Sequence, residues 1–167
     1  MTTILALDIS GNFEEGKGTT GVAFLREGDI GLGTISSTKD KSAESYWDSI
    51  IETIDKFNPL FLVVEGYRLY HHKGKSSNVQ ANSILETPQL LGVIRYHCYK
   101  EGINLVIQYA KDVKTRWSED VLCAKGYLEK KGNRYYHDEY LVNTHMRDAL
   151  KHLLHFEKYK LKEVQNG

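Results

Sequence analysis

Two short apolar runs, each closed by a carboxylate, constrain this 167-residue chain more than any other feature. Ile4, Leu5, Ala6 and Leu7 lead to Asp8, and Phe61, Leu62, Val63 and Val64 lead to Glu65. Such runs are too brief for buried helices, whereas a strand covered on both faces is apolar throughout and of this length. They therefore belong inside a sheet with helices on its faces. An acid at the last position then sits where an apolar strand ends, and its charge is costly there unless it is paired or binds a cation. No basic residue neighbours Asp8 in sequence.

The other segments complete the sheet. "TGVAFLREGDIGLGTIS" reads as two strands joined by a tight turn around Glu27, Gly28 and Asp29. From Ser42 to Phe57 the apolar positions Ala43, Tyr46, Trp47, Ile50, Ile51 and Ile54 fit a helix, stopped by Asn58 and Pro59. A second helix is predicted over Val79 to Lys100, bent or restarted at Thr87 and Pro88, since Thr caps and Pro is tolerated at the first helical position. "INLVIQYA" supplies a fifth strand, and helical segments finish the chain. The last of these keeps Met146, Ala149, Leu150, Leu153 and Phe156 at helical spacing, and the polar residues after Lys158 are expected to fray. The order predicts one α/β domain over residues 1–167, a five-stranded mixed sheet flanked by helices. In open sheets of this kind ligands collect outside the carboxyl ends of the parallel strands, which is where Asp8 and Glu65 fall.

Formal net charge is +0, but the two signs are unevenly spread. Before Leu60 acids are twice as numerous as bases; beyond it bases prevail. Tyr67, Arg68, Tyr70, Lys73 and Lys75 form one basic and aromatic stretch, with His71 and His72 inside it. Lys111, Lys114 and Arg116 begin another, continued by Lys125, Lys130, Lys131 and Arg134 among Trp117, Tyr127, Tyr135 and Tyr136. Positive charge interleaved with aromatics suits phosphate contact and base stacking, and it also suits a solvated loop. No apolar run approaches the roughly 20 residues of a membrane-spanning helix, so no membrane partner is expected. Cys98 and Cys123 are far apart, without a C-x-x-C pair, which argues against a zinc finger and predicts reduced thiols in a cytoplasmic protein. "GNFEEGKG" has phosphate-loop spacing, but Gly18 stands where Ser or Thr would hold Mg²⁺ and a strand follows, so no nucleotide cofactor is expected.

His145 and Asp148 open the last helix. One reading is a polar helix face with an acid near the positive end of the dipole. In the other, that first turn reaches the strand ends, so that Asp148 joins Asp8 and Glu65 with His145 one turn back. Three carboxylates and an imidazole suit Mg²⁺, with Mn²⁺ as a substitute. Two such ions about 3.5 to 4 Å apart can activate a water and stabilise the leaving oxygen in phosphodiester hydrolysis.

"LALDIS" followed by "GTTGVAFL", the "VVEGYRLY" strand end, "NSILETPQLLGVI" and "HMRDAL" occur in an order that resembles the RuvC-like Holliday junction resolvases of the ribonuclease H superfamily. The resemblance covers most of the chain; each motif is weak alone and the ordered set is fairly specific. It implies a ribonuclease H-like fold and a metal-dependent endodeoxyribonuclease that cuts branched DNA such as four-way junctions, leaving a 5′ phosphate and a 3′ hydroxyl. By the same resemblance Asp8, Glu65 and Asp148 match the acidic metal ligands of a two-ion site, and His145 the fourth site residue, where some members carry His and others an acid. It also implies a homodimer whose two sites cut opposing strands. The helix over Val79 to Lys100 is the candidate interface, although its Ile84, Leu85, Leu90, Leu91, Val93 and Ile94 suit core packing equally. "KTRW" and "KGYLEKKGNRYY" look like phage-encoded members, which implies the cytoplasm of a bacterial host. Departures include Ile9 and Ser10 where the family often reads Pro-Gly after its first acid, and Tyr67 and Tyr70 flanking Arg68 where cellular members place a junction-opening aromatic. Two other functions compete: an architectural branched-DNA binder with decayed catalysis, and an actin-like ATP-dependent phosphotransferase, which needs two domains and a longer chain.

Overall fold

A computed structural model describes residues 2–11, 13, 17–67 and 85–166. Arg68, Tyr70, His71, His72, Lys73, Lys75 and the first part of the predicted second helix lie outside the described residues.

Five strands form the main sheet: β1 (Ile4–Asp8), β2 (Thr19–Arg26), β3 (Asp29–Ser36), β4 (Phe61–Glu65) and β5 (Asn104–Gln108), in the order β3-β2-β1-β4-β5. β1, β4 and β5 run parallel, and β2 and β3 add an antiparallel hairpin beside β1. The hairpin turns through Glu27 and Gly28, both at positive φ (56° and 89°), the two-residue geometry whose twist matches the flanking strands. Leu7 lies opposite Val64, so Asp8 and Glu65 leave neighbouring parallel strands at the same rim.

Alternation along the central strands divides the core in two. Leu5, Leu7, Leu62 and Val64 pack against Tyr46, Ile50 and Ile54 of α1 (Ala43–Phe57) and Leu90, Ile94 and Cys98 of α2 (Glu86–Glu101). Ile4, Ala6, Phe61 and Val63 face the other way, onto Val113 of α3 (Ala110–Lys114), Leu122 of α4 (Glu119–Ala124) and Leu150 and Leu153 of α5 (Thr144–His155). β1 and β4 are therefore apolar throughout because each face meets a helical layer. α1 ends as its sequence predicts: the Ser42 hydroxyl accepts from the Ser45 amide, and Asn58 turns left-handed at the other end. Leu90 and Ile94 belong to the core, while Val93, Tyr96 and Tyr99 form the outer face of α2.

Three details differ from the sequence reading. α2 has Leu85 as its N-cap, without a side-chain cap. The Thr87 hydroxyl instead accepts from the Gly11 amide at 3.0 Å, and Glu86 Oε2 accepts from the Phe13 amide at 2.9 Å, so this helix start clamps the loop after β1. Pro88 stands in the first turn, where the amide it lacks would have no intrahelical partner. Secondly, residues 129–142 are not helical: β6 (Glu129–Lys131), β7 (Arg134–His137) and β8 (Tyr140–Val142) form a small antiparallel sheet. Strands of three or four residues are too short to display a period of two against a mixed background. Thirdly, the chain beyond α5 continues as a π-helical turn (Phe156–Lys160) and α6 (Leu161–Gln165), covering residues where fraying is predicted. Tyr159 and Leu161 pack against the core there and hold the segment. Cys98 is buried and Cys123 half-buried, both as free thiols; His97 turns away from its neighbour Cys98 to pair with Asp55 of α1. Among the described residues no helix is long and apolar enough to cross a membrane.

Candidate active site

α5 begins over the rim where β1 and β4 end. The Asn143 side chain accepts from the Met146 amide at 2.9 Å and fixes the first turn, which sets His145 and Asp148, three apart, on one helix face. The helix can come this close because Gly21, opposite Asp8 in β2, has no side chain: a Cβ there would stand 2.0 Å from the His145 carbonyl oxygen. His145 Nδ1 donates to Asp8 Oδ2 at 2.9 Å. Lys114, the last residue of α3, reaches Asp148 Oδ2 at 3.0 Å and Glu65 Oε2 at 3.8 Å. All four acid-site residues singled out in the sequence thus meet at one end of the parallel strands. Lys114, grouped by sequence with the phosphate-binding bases, stands between two of the acids.

A second set of side chains supports them from below. Lys151, 4% exposed, donates to Asp148 Oδ1 at 3.1 Å and to Glu119 Oε1 at 2.8 Å. His152 is fully buried; its Nε2 donates to Glu65 Oε2 at 3.1 Å, and the Gln108 side-chain amide donates to its carbonyl at 2.9 Å. Sequence reasoning passed over both residues. The available signal was a lysine and a histidine three and four positions after Asp148, inside the stretch "ALKHLLHF", which is apolar apart from these two and His155. Polar side chains there must find buried partners.

The charges are unequally compensated. Burial pushes the Asp8 carboxyl up and its hydrogen bond to His145 opposes this, but the nearby Glu65 and Asp148 add to the rise, and the balance lies above the ordinary aspartate value. Burial also pushes Glu65 up, yet the His152 hydrogen bond and charge, with Lys114, hold it below its usual value. For Asp148, Lys114 and Lys151 overcome burial and keep the carboxyl ionised. Lys114 answers in kind: burial disfavours its charge, and the facing acids restore it and raise its pKa. Three acids in one place share the positive charge of two lysines, and Asp8 is the one left short.

Oxygen donors from three carboxylates, with one imidazole, match the chemistry of Mg²⁺ and Mn²⁺. The Lys114 ammonium between Glu65 and Asp148 occupies a position that suits a cation. Among the described residues no three His, Cys, Asp or Glu side chains close around one point, because Glu65 and Asp148 are turned toward His152, Lys114 and Lys151. The residues fit a divalent cation by donor type and by placement at one rim. Of the remaining sequence candidates, Tyr67 is exposed two residues beyond Glu65, and Lys111 and Arg116 line a cleft beside the acids.

No family model matches the chain, and no curated protein matches it. Solved structures do. RuvC from Thermus thermophilus superposes with a TM-score of 0.62 at 13% identity, covering 97% of each chain. T. thermophilus RuvC in complex with a Holliday junction substrate gives a TM-score of 0.59, also at 13% identity, covering 95% of this chain and 94% of that one. The chain therefore has the RuvC fold, the five-stranded mixed sheet of ribonuclease H-like proteins with helices on both faces.

Proposed function

We propose that this chain of RuvC fold is a structure-selective endodeoxyribonuclease that hydrolyses phosphodiesters in branched DNA, four-way junctions among them. The observation that carries the reading is the meeting of Asp8, Glu65, Asp148 and His145 outside the carboxyl ends of β1 and β4, where sheets of this topology bind their ligands. The junction-bound state of the similar T. thermophilus protein supports the choice of substrate.

Asp8, Glu65 and Asp148, with His145, would hold Mg²⁺ or Mn²⁺, two ions per site. When bound, such ions supply the positive charge that activates water and offsets charge on the leaving oxygen. The protein's own side chains do the positioning. His145 orients Asp8, His152 orients Glu65 from within the core, and Lys151 anchors Asp148 against Glu119. Lys114, half exposed, offers its ammonium to a DNA phosphate in the same space, with Lys111 and Arg116 beside it for flanking phosphates. Two copies of the chain would address opposing strands of a junction, and the exposed Val93, Tyr96 and Tyr99 on α2 are a candidate face for pairing.

The test compares the parent protein with Asp8→Asn on duplex, fork and four-way junction, with Mg²⁺ and with chelator. Cutting of branched DNA by the parent in Mg²⁺ alone, and binding without cutting by Asp8→Asn, is the expected outcome. Undiminished cleavage by Asp8→Asn would remove the acid cluster from the mechanism. Junction binding by a parent protein that cuts with neither Mg²⁺ nor Mn²⁺ would make the chain an architectural binder.

A further inference from the structure

Next to the acid cluster lies a cleft of about 660 Å³, within the size range of ligand sites. Its lining includes Gln108 at the end of β5, His155 at the end of α5, Lys111 and Arg116 from the α3 side, and Tyr159 and Lys160 from the π-helical turn. Gln108 pairs in register with Glu65, so the cleft begins one strand spacing, about 4.8 Å, from the second acid.

Two features distinguish this cleft from an ordinary surface groove. Planar groups are gathered at the same wall: the His155 and Tyr159 ring centroids are 5.0 Å apart, and the Arg116 guanidinium carbon lies 4.9 Å from the Tyr159 centroid. The helix changes from α to π winding over Phe156–Lys160, a rare distortion that is frequent at functional sites. Two of the lining residues, Tyr159 and Lys160, are carried on that turn.

We propose that the cleft receives one unpaired nucleotide of the DNA strand that passes the acid cluster. Its base stacks on the group formed by Arg116, Tyr159 and His155, and its phosphate turns toward Lys111. This rests on the nuclease reading and deepens it. A base can enter only after leaving its own stack, which costs least at a branch point, so the cleft selects for branched over continuous duplex DNA.

The experiment uses Asp8→Asn protein in Mg²⁺ and four-way junctions in which 2-aminopurine replaces single bases, one at a time, around the branch point. One position should change its fluorescence about twofold or more on binding. Adding Tyr159→Ala should abolish that response and weaken junction binding by about tenfold, the usual scale for losing one base–aromatic stack, while Tyr159→Phe keeps both. If Tyr159→Ala fails to fold, Arg116→Ala at the exposed end of the stack should lose the fluorescence response, whereas Lys111→Ala, which removes only a phosphate contact, should weaken binding and keep the response. A junction bound with no responsive position, or Tyr159→Ala behaving as Tyr159→Phe does, overturns the inference while leaving the nuclease reading intact. Free dAMP or dTMP binding as tightly as the junction would assign the cleft to a soluble nucleotide and overturn it too. Failure of the parent protein to bind or cut any branched DNA removes both readings together.

Discussion

Gly21→Ala is the sharpest test of how the acid site is assembled. The substitution adds one methyl group, but that carbon would lie 2.0 Å from the His145 carbonyl oxygen, 2.2 Å from its carbonyl carbon and 2.9 Å from the Met146 nitrogen. These neighbours are backbone, so no side chain can swing aside. An ordinary contact begins at 3.4 Å, and opening 2.0 Å to 3.4 Å moves the start of α5 by about 1.4 Å. The helix cannot slide to absorb this, because it is buried continuously from Asp148 to Phe156. Overpacking of this kind costs about 1–3 kcal/mol, which lowers the melting temperature by roughly 2–12 °C for a chain of this size. Function should suffer more than stability. The shift separates His145 and Asp148 from Asp8, and a misplacement of about 1 Å costs on the order of 100-fold in rate. Junction cleavage in Mg²⁺, followed under single-turnover conditions beside thermal unfolding, should therefore fall about 100-fold. Gly33→Ala in β3 is the control: no atom lies within 4 Å of its added carbon, and both measurements should stay at parent values. A Gly21→Ala protein with parental rate and melting temperature would refute the claim that this glycine lets α5 reach the strand ends.

Other substitutions probe the layer beneath. Lys151→Met leaves Asp148 and Glu119 without their shared buried cation and should cost about 3 kcal/mol, the low end for a broken buried pair because Arg147 still reaches Glu119; urea unfolding at neutral pH measures it, and unchanged stability would make Lys151 dispensable. His152→Leu releases Glu65 and should lower metal-supported cleavage by about 10- to 100-fold, whereas His152→Gln, which keeps a donor, should recover part of the loss; equal effects of the two would show that packing alone matters. Acid stability has a defined sign. Glu65, Glu119 and Asp148 have depressed values in the folded chain, so their stabilisation is complete above the ordinary carboxyl range near 4 and is lost as pH falls through their folded values. Asp8, raised, contributes with the opposite sign. Urea midpoints of metal-free protein should fall as pH drops below the ordinary carboxyl range near 4, and Asp148→Asn should flatten the fall; a midpoint that rises on acidification would reverse the assignment.

Much of the architecture is legible in the sequence because it depends on local periodicity. The runs ending in Asp8 and Glu65 have the length and uniform apolarity of two-sided strands, and Ser42 with Asn58 marks both ends of α1. The small sheet over residues 129–142 escaped because its strands are shorter than the pattern that identifies strands. The helical character of the chain's end was legible, but the packing of Tyr159 and Leu161 on distant residues was not, because no local pattern encodes it.

Local chemistry alone determined that acids cap the central strands and that a histidine and an aspartate share the first turn of the last helix. Only tertiary structure could decide what each acid touches. Lys114 reaches Glu65 across 49 positions of sequence and His152 reaches it across 87, contacts that follow from how α3 and α5 lie on the sheet. The physical reason is the difference between the two kinds of information. Burial patterns are written into a chain every two or 3.6 residues, while the partner of a buried charge is fixed by the packing of whole elements, down to a missing methyl group at Gly21.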